Sequence, residues 1–143
     1  MNAYMNQYQN NQILNASPEQ ILIMLYDGSI RFCRQAMLAM DAGQKTLQAE
    51  KISRAMAIVC EFSNTLNFEV GGEIAADLDA LYAFMVRELT RANIKNDRKA
   101  LETVADLLAG LRETWVDAIE INRGSTVQVE KSDPSAQHVA ASF

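Results

Sequence analysis

Few side chains in this sequence are suited to chemistry: two cysteines, Cys33 and Cys60, and a single histidine, His138. A cysteine nucleophile needs an adjacent base to make its thiolate, and both cysteines fall on apolar helical stretches with no histidine nearby. Two cysteines without histidine make no zinc site. A di-metal site in a helical bundle wants Glu-x-x-His on facing helices, and His138 lies in the C-terminal tail. Neither a GxxxxGK[ST] nor a GxGxxG phosphate loop occurs, and Gly71-Gly72 is too short to replace one. Asp77 and Asp79 fall on different faces of one helix, so they form no carboxylate dyad. Asn15-Ala16-Ser17 matches a glycosylation acceptor, but no secretion signal accompanies it. These residues imply no enzyme, no metal and no cofactor. Binding through surface is what remains. Seven methionines are present, and methionine is over-used on adaptable peptide-binding surfaces. Met24, Met37, Met40, Met56 and Met85 all sit on helical stretches.

The elements that must present such a surface are helical. The chain has 143 residues, enough for one domain with a sizeable core. An apolar fraction of 49% is ordinary for a globular protein. Net charge is −5, and the 13 basic residues form no run, which argues against nucleic acid as the main partner. No apolar stretch approaches the ~18 residues of a membrane span, so no direct membrane insertion is expected. The N-terminus lacks the pattern of a signal peptide. A reducing cytoplasm with free, buried thiols is the expected setting.

Residues 1–16 carry no charged side chain and are rich in Asn and Gln, with Tyr4, Met5, Tyr8, Ile13 and Leu14 interspersed. This composition predicts an arm, with room for a short extra helix, that docks weakly through its tyrosines. The first bundle helix is predicted over 18–41. Ser17, Pro18 and Gln20 make a capping-box start, and Gly43 suits a left-handed cap at the end. At 100° per residue, Ile21, Leu25, Gly28, Phe32, Ala36 and Ala39 share one face. Leu22, Tyr26, Ser29, Cys33, Met37 and Met40 share the next, and Ile23 and Ile30 widen the arc. A surface helix needs an apolar stripe of roughly 100°; this arc is about twice that. The expectation is that Ile21, Leu25, Gly28 and Phe32 serve the permanent core, while Leu22, Ile23, Tyr26 and Ile30 are covered by something removable.

Further helices are predicted over 45–66, 72–93 and 98–121. Their expected inner stripes are Ile52, Ala55, Met56, Val59, Ser63 and Leu66, then Ile74, Leu78, Leu81, Met85, Leu89 and Ala92, then Leu101, Val104, Leu108, Leu111, Trp115 and Ile119. Asn67 to Gly72 reads as a turn, and Asp97 as the cap of the fourth helix. Residues 123–143 are polar, hold Pro134 and read as a flexible tail. Short connections favour antiparallel neighbours. The fold class is therefore all-α: an antiparallel up-down-up-down four-helix bundle over 17–122, with an N-terminal arm and a flexible C-terminal tail. The apolar positions flanking the stripes, Leu22, Ile23, Tyr26, Ile30, Ile58, Phe62, Tyr82 and Val86, form the candidate groove for an amphipathic helix or extended peptide. A self-associating structural bundle with no client is the alternative.

Four stretches, SPEQILIMLYDG, GGEIAADLDALYAFM, ANIKND and LLAGLRETW, resemble the flagellin-specific export chaperones of the FliS family. They stand in matching order, and the resemblance spans about residues 2–121. It implies a cytoplasmic helical chaperone that binds the disordered C-terminal segment of flagellin in apolar grooves. Such a protein prevents premature polymerisation and delivers flagellin to the export gate of the flagellar secretion apparatus. By the same resemblance, an arm matching the family at Ala3-Tyr4 can cover part of the client site, and Tyr4, with Tyr8 as a weaker neighbour, contributes to gate docking. A regulatory partner or co-chaperone is left open. The family often has two basic residues after the helix-three methionine, whereas here Val86 is followed by Arg87 and Glu88.

Overall fold

A computed structural model describes the backbone of residues 15–132 and the side chains of 15–124. The expected arm with Tyr4 and Tyr8, and the tail beyond 132, lie outside the described residues. The fold is an all-α four-helix bundle with no strand among the described residues. Its helices are α1 (Pro18–Asp41), α2 (Lys45–Asn64), α3 (Phe68–Lys95) and α4 (Arg98–Ser132).

Local chemistry fixes most of the boundaries. At the start of α1, Gln20 N–H donates to Ser17 Oγ (3.2 Å) and Ser17 N–H to Gln20 Oε1 (2.9 Å), the reciprocal capping box. At its end, Gly43 takes φ +70°. There Gly43 N–H donates to the Met40 carbonyl (3.1 Å) and Gln44 N–H to that of Ala39 (2.9 Å), which is a Schellman stop. Asp97 Oδ1 accepts from Lys99 N–H (3.1 Å) and Ala100 N–H (3.3 Å) and so caps α4.

Four boundaries depart from expectation, the end of α3 among them, at Lys95 rather than 93. Helix α2 stops at Asn64, with Thr65 as its cap. The predicted turn before α3 is itself helical: Asn67 Oδ1 accepts from Glu69 and Val70 N–H, both at 3.1 Å, and starts a turn at Phe68. That turn kinks at Gly72 (φ 50°, ψ −121°) before the helix resumes. A side chain at Gly72 would strain this left-handed backbone. Helix α4 runs eleven residues past the expected end at 121, to Ser132. Gly124 does not stop it, because one glycine costs a helix only about 1 kcal/mol and the next proline is Pro134.

The chain divides into two compact units. One is Met24–Gly110, which holds most of α1, all of α2 and α3, and the first part of α4. In it Asp41, the last residue of α1, accepts from Arg98 Nε at 2.9 Å at the start of α4. Gln48 at the start of α2 donates to Asn93 near the end of α3 at 3.3 Å. Farther along the same pair, Phe62 lies on Tyr82 with ring centroids 5.5 Å apart. The two contacts run in opposite chain directions, so α2 and α3 are antiparallel. The core of this unit includes Tyr26, Cys33, Ile52, Val59, Met85, Leu89, Leu101, Val104 and Leu108, all essentially inaccessible. The other unit takes residues up to Ile23 and from Leu111 onward.

Burial divides α1 differently from expectation. Gly28, Ala36 and Ala39 are buried on the expected core face, but Leu25 and Phe32 are half-buried and Ile21 is exposed; on the other face Tyr26, Ser29, Ile30, Cys33, Met37 and Met40 are buried, and Leu22 and Ile23 half-buried. The reason is a pairing that a helical wheel cannot show. Tyr26 and Tyr82, 56 positions apart, share a buried hydroxyl hydrogen bond of 2.6 Å. Each hydroxyl answers the other, so both rings can leave water. Phe62 stacks on Tyr26 with centroids 4.3 Å apart and completes the cluster. The stripe of α3 is shifted only in its first half, where Ala75 and Tyr82 are buried, Leu78 and Leu81 half-buried and Ile74 exposed; Met85, Leu89 and Ala92 are buried as expected. On α2, Phe62 is buried where Met56 and Ser63 were expected to be. Met37, Met40 and Met85 are core filling rather than adaptable surface.

Candidate protein-binding surface

The apolar residues left at the surface define the site. In the Met24–Gly110 unit they concentrate on α3. The kinked turn displays Phe68 (52% exposed), Val70 (86%) and Ile74 (71%), and the far end displays Ile94 (76%). Gly71 is tied to this geometry, because a β-carbon there would fall 2.8 Å from that of Ala75 and force a shift. Over the second half of α3, Val86, Thr90 and Ile94 recur every four residues beside a parallel row of Arg87, Arg91 and Lys95. Together they line a shallow groove of about 350 Å³. The spacing places each row on one helix face. Arg91 is tied to Glu88 (3.6 Å) and Asp97 (3.3 Å), while Arg87 lies over the Phe84 ring at 6.0 Å. The groove thus has an apolar floor and a cationic edge.

The other unit carries a second concavity. Pro18, Glu19 and Leu22 from the first turns of α1 face Trp115, Ala118, Ile119 and Asn122 of α4 across a cleft of about 260 Å³. Trp115 and Ile119 were expected as core of the fourth helix, yet both are only half-buried.

The eight candidate groove residues separate into two groups. Tyr26, Ile30, Phe62 and Tyr82 are buried in the core. Ile23 and Ile58 are half-buried, and Ile58 Cδ1 lies 3.6 Å from where a β-carbon on Gly28 would be. Leu22 lines the α1–α4 cleft and Val86 the α3 groove. Sequence reasoning missed Phe68, Val70 and Ile94, which it assigned to connections. Their signal was present as large apolar residues in supposed turns.

The reactive groups behave as structural ones. Burial pushes the Cys33 thiol up to about 12, so it stays protonated and poorly nucleophilic. Burial, with the hydrogen bond to Tyr26, also raises the Tyr82 hydroxyl. Cys60, expected in the core, is exposed. It follows the buried Val59 directly in sequence but is rotated about 100° from it around α2, which turns it outward. Among the described residues no cluster of His, Cys, Asp or Glu could hold a metal ion, and no helix is long and apolar enough to cross a membrane.

Open apolar grooves on a helical bundle suit the binding of other polypeptides. The family model for flagellar protein FliS matches residues 1–122, and this chain belongs to that family. Its curated relatives carry the name flagellar secretion chaperone. The one from Vibrio cholerae is 35% identical over 115 residues, 80% of this chain and 85% of the relative. That from Salmonella typhimurium is 38% identical over 104 residues, 72% and 77% of the two chains. That from Campylobacter jejuni is 34% identical over 122 residues, 85% and 93%. The family is one of chaperones for flagellum assembly, not of enzymes.

Proposed function

We propose that this chain is a cytoplasmic export chaperone for flagellin. It holds the disordered C-terminal segment of flagellin on its apolar grooves, keeps it from polymerising early and hands it to the export gate of the flagellar secretion apparatus. The observation that carries this reading is the match to flagellar secretion chaperones across most of the chain's length. The open surface supports it physically. A disordered segment loses chain entropy when it is held, so a useful affinity needs extended apolar contact. The groove of Val86 and Ile94 and the cleft of Leu22 and Trp115 each offer such contact. Ile23 and Ile58 belong to the proposed site as partly accessible margins. Tyr26, Ile30, Phe62 and Tyr82 act as the scaffold beneath it. Tyr4 and Tyr8 are proposed to contribute to gate docking, and the arm that carries them to compete with the client.

Isothermal titration of the full chain with a synthetic flagellin C-terminal segment tests this. Binding is expected, and Val86→Asp or Leu22→Asp should weaken it by about tenfold or more, as for a contact at the centre of an interface. Native helicity, measured by circular dichroism, should be kept. The absence of any complex with flagellin would overturn the reading. A stable self-association that ignores the segment would favour the structural alternative.

A further inference from the structure

Phe32 sits on α1 with its ring half-buried, and three cations from two helices gather on it. The Arg31 guanidinium lies 5.6 Å from the ring centroid, the Lys51 ammonium 5.7 Å and the Arg54 guanidinium 5.9 Å. One carboxylate answers them: Glu50 pairs with Arg54 at 3.3 Å. Arg31 and Lys51 have no carboxylate within ion-pair distance among the described residues. Elsewhere Arg98 is held by Asp41 and Glu102, Arg91 by Glu88 and Asp97, and Arg112 by Glu113, while Arg34, Lys45, Lys95 and Lys99 have no ion pair among the described residues. What sets the Phe32 group apart is that three cations share one ring. So a chain of net charge −5 gathers uncompensated positive charge around one aromatic ring. Like charges drawn together without counter-charge repel, and an incoming anion relieves that repulsion.

We propose that Phe32, Arg31, Lys51 and Arg54 form a docking platform for an acidic peptide segment of a protein partner, one with two or more closely spaced carboxylates. Carboxylates pair with Arg31 and Lys51. The ring is a positioning residue: cation–π attraction holds the long side chains near one geometry, so less rotamer freedom is lost when the acid arrives. Charge favours a peptide over a nucleic acid. A phosphate chain needs a line of cations, and the 13 basic residues of this chain form no run. A short acidic segment needs only the platform. The inference is independent of flagellin binding, because it uses none of the groove or cleft residues.

Fluorescence anisotropy of labelled hexaglutamate, hexaglutamine and oligothymidylate with the full chain at low ionic strength tests it. Hexaglutamate should bind and hexaglutamine should not, and binding should weaken as salt rises. Arg31→Gln with Lys51→Gln should lower the affinity by about tenfold, and Phe32→Leu by a smaller factor with the cations intact. Lys45→Gln, a cation away from the platform, should leave it unchanged. Failure of hexaglutamate to bind, or equal binding by the double variant, overturns the proposal. Equal or tighter binding of oligothymidylate overturns it in favour of a nucleic-acid surface.

Discussion

Helix α1 carries two aromatic sites six residues apart, and they have opposite fates. At Tyr26 the ring is fully buried, stacked on Phe62 and joined through its hydroxyl to Tyr82. At Phe32 the ring is half-buried and ringed by Arg31, Lys51 and Arg54. The more polar residue is the more buried one. Tyr26 can leave water because its hydroxyl has a dedicated partner. Phe32 has no polar atom to satisfy, yet it stays at the edge, where long basic side chains lay their stems and charges against it. Hydrophobicity alone therefore does not rank burial on this helix. The available partner does. It also follows that the apolar excess of α1 is not one surplus surface: one arc is closed by aromatic packing, and the other is finished with cations.

The strongest way to break this contrast is to remove the ring at the centre of the closed site. Phe62→Ala deletes the side chain that touches both tyrosines and should cost about 3–5 kcal/mol, as for other buried aromatic truncations. Equilibrium urea denaturation measures it, and a loss below about 1 kcal/mol would mean that the cluster is not the structural centre it is taken for. A finer cut is Tyr82→Phe, which keeps the ring and removes the hydroxyl bonded to that of Tyr26. About 0.5–1.5 kcal/mol of stability should be lost, as for one buried hydrogen bond. Because Tyr26→Phe breaks the same bond, the double variant should cost less than the two single changes summed. A double-mutant cycle that shows simple additivity would deny the coupling.

How far the molecule could be read in advance follows the same division between local and distant partners. The bounds of α1, its capping box, its Gly43 stop and the Asp97 cap were legible because each rests on residues within four or five positions. The bundle class and the four helices among the described residues were legible because a 3.6-residue period records burial along a helix. The rotation of each helix about its axis was not. Of the inner face assigned to Ile21, Leu25, Gly28 and Phe32, only Gly28 is fully buried, and the bond that turns the helix the other way joins Tyr26 to a residue 56 positions on. The same blindness placed Tyr26, Ile30, Phe62 and Tyr82 in a groove when they are core. The helical turn after Asn67 was hidden because Gly71-Gly72 reads as a break. There the cap starts the turn, and Gly72 kinks the helix without ending it. Leu22 and Val86 were placed at concave surface as the flanking positions suggested, but the larger exposed residues Val70 and Ile94 were passed over as loop.

The smallest effect is expected at the open aromatic site, and its smallness is the informative part. Phe32→Leu keeps an apolar side chain at a half-buried position and removes only the ring's attraction for three cations. Single exposed cation–π contacts are each worth about 0.5–1 kcal/mol, and three on one ring do not add, because the cations repel one another. A net loss under about 1 kcal/mol in urea denaturation is therefore expected, well below that of Phe62→Ala. Salt sharpens the test. The ring's attraction for Arg31, Lys51 and Arg54 is electrostatic and exists only in the parent, so the deficit of the variant should shrink as ionic strength screens it. A loss as large as that of Phe62→Ala would make Phe32 a core residue with decorative charges, and the difference between the two ends of this aromatic pair would disappear.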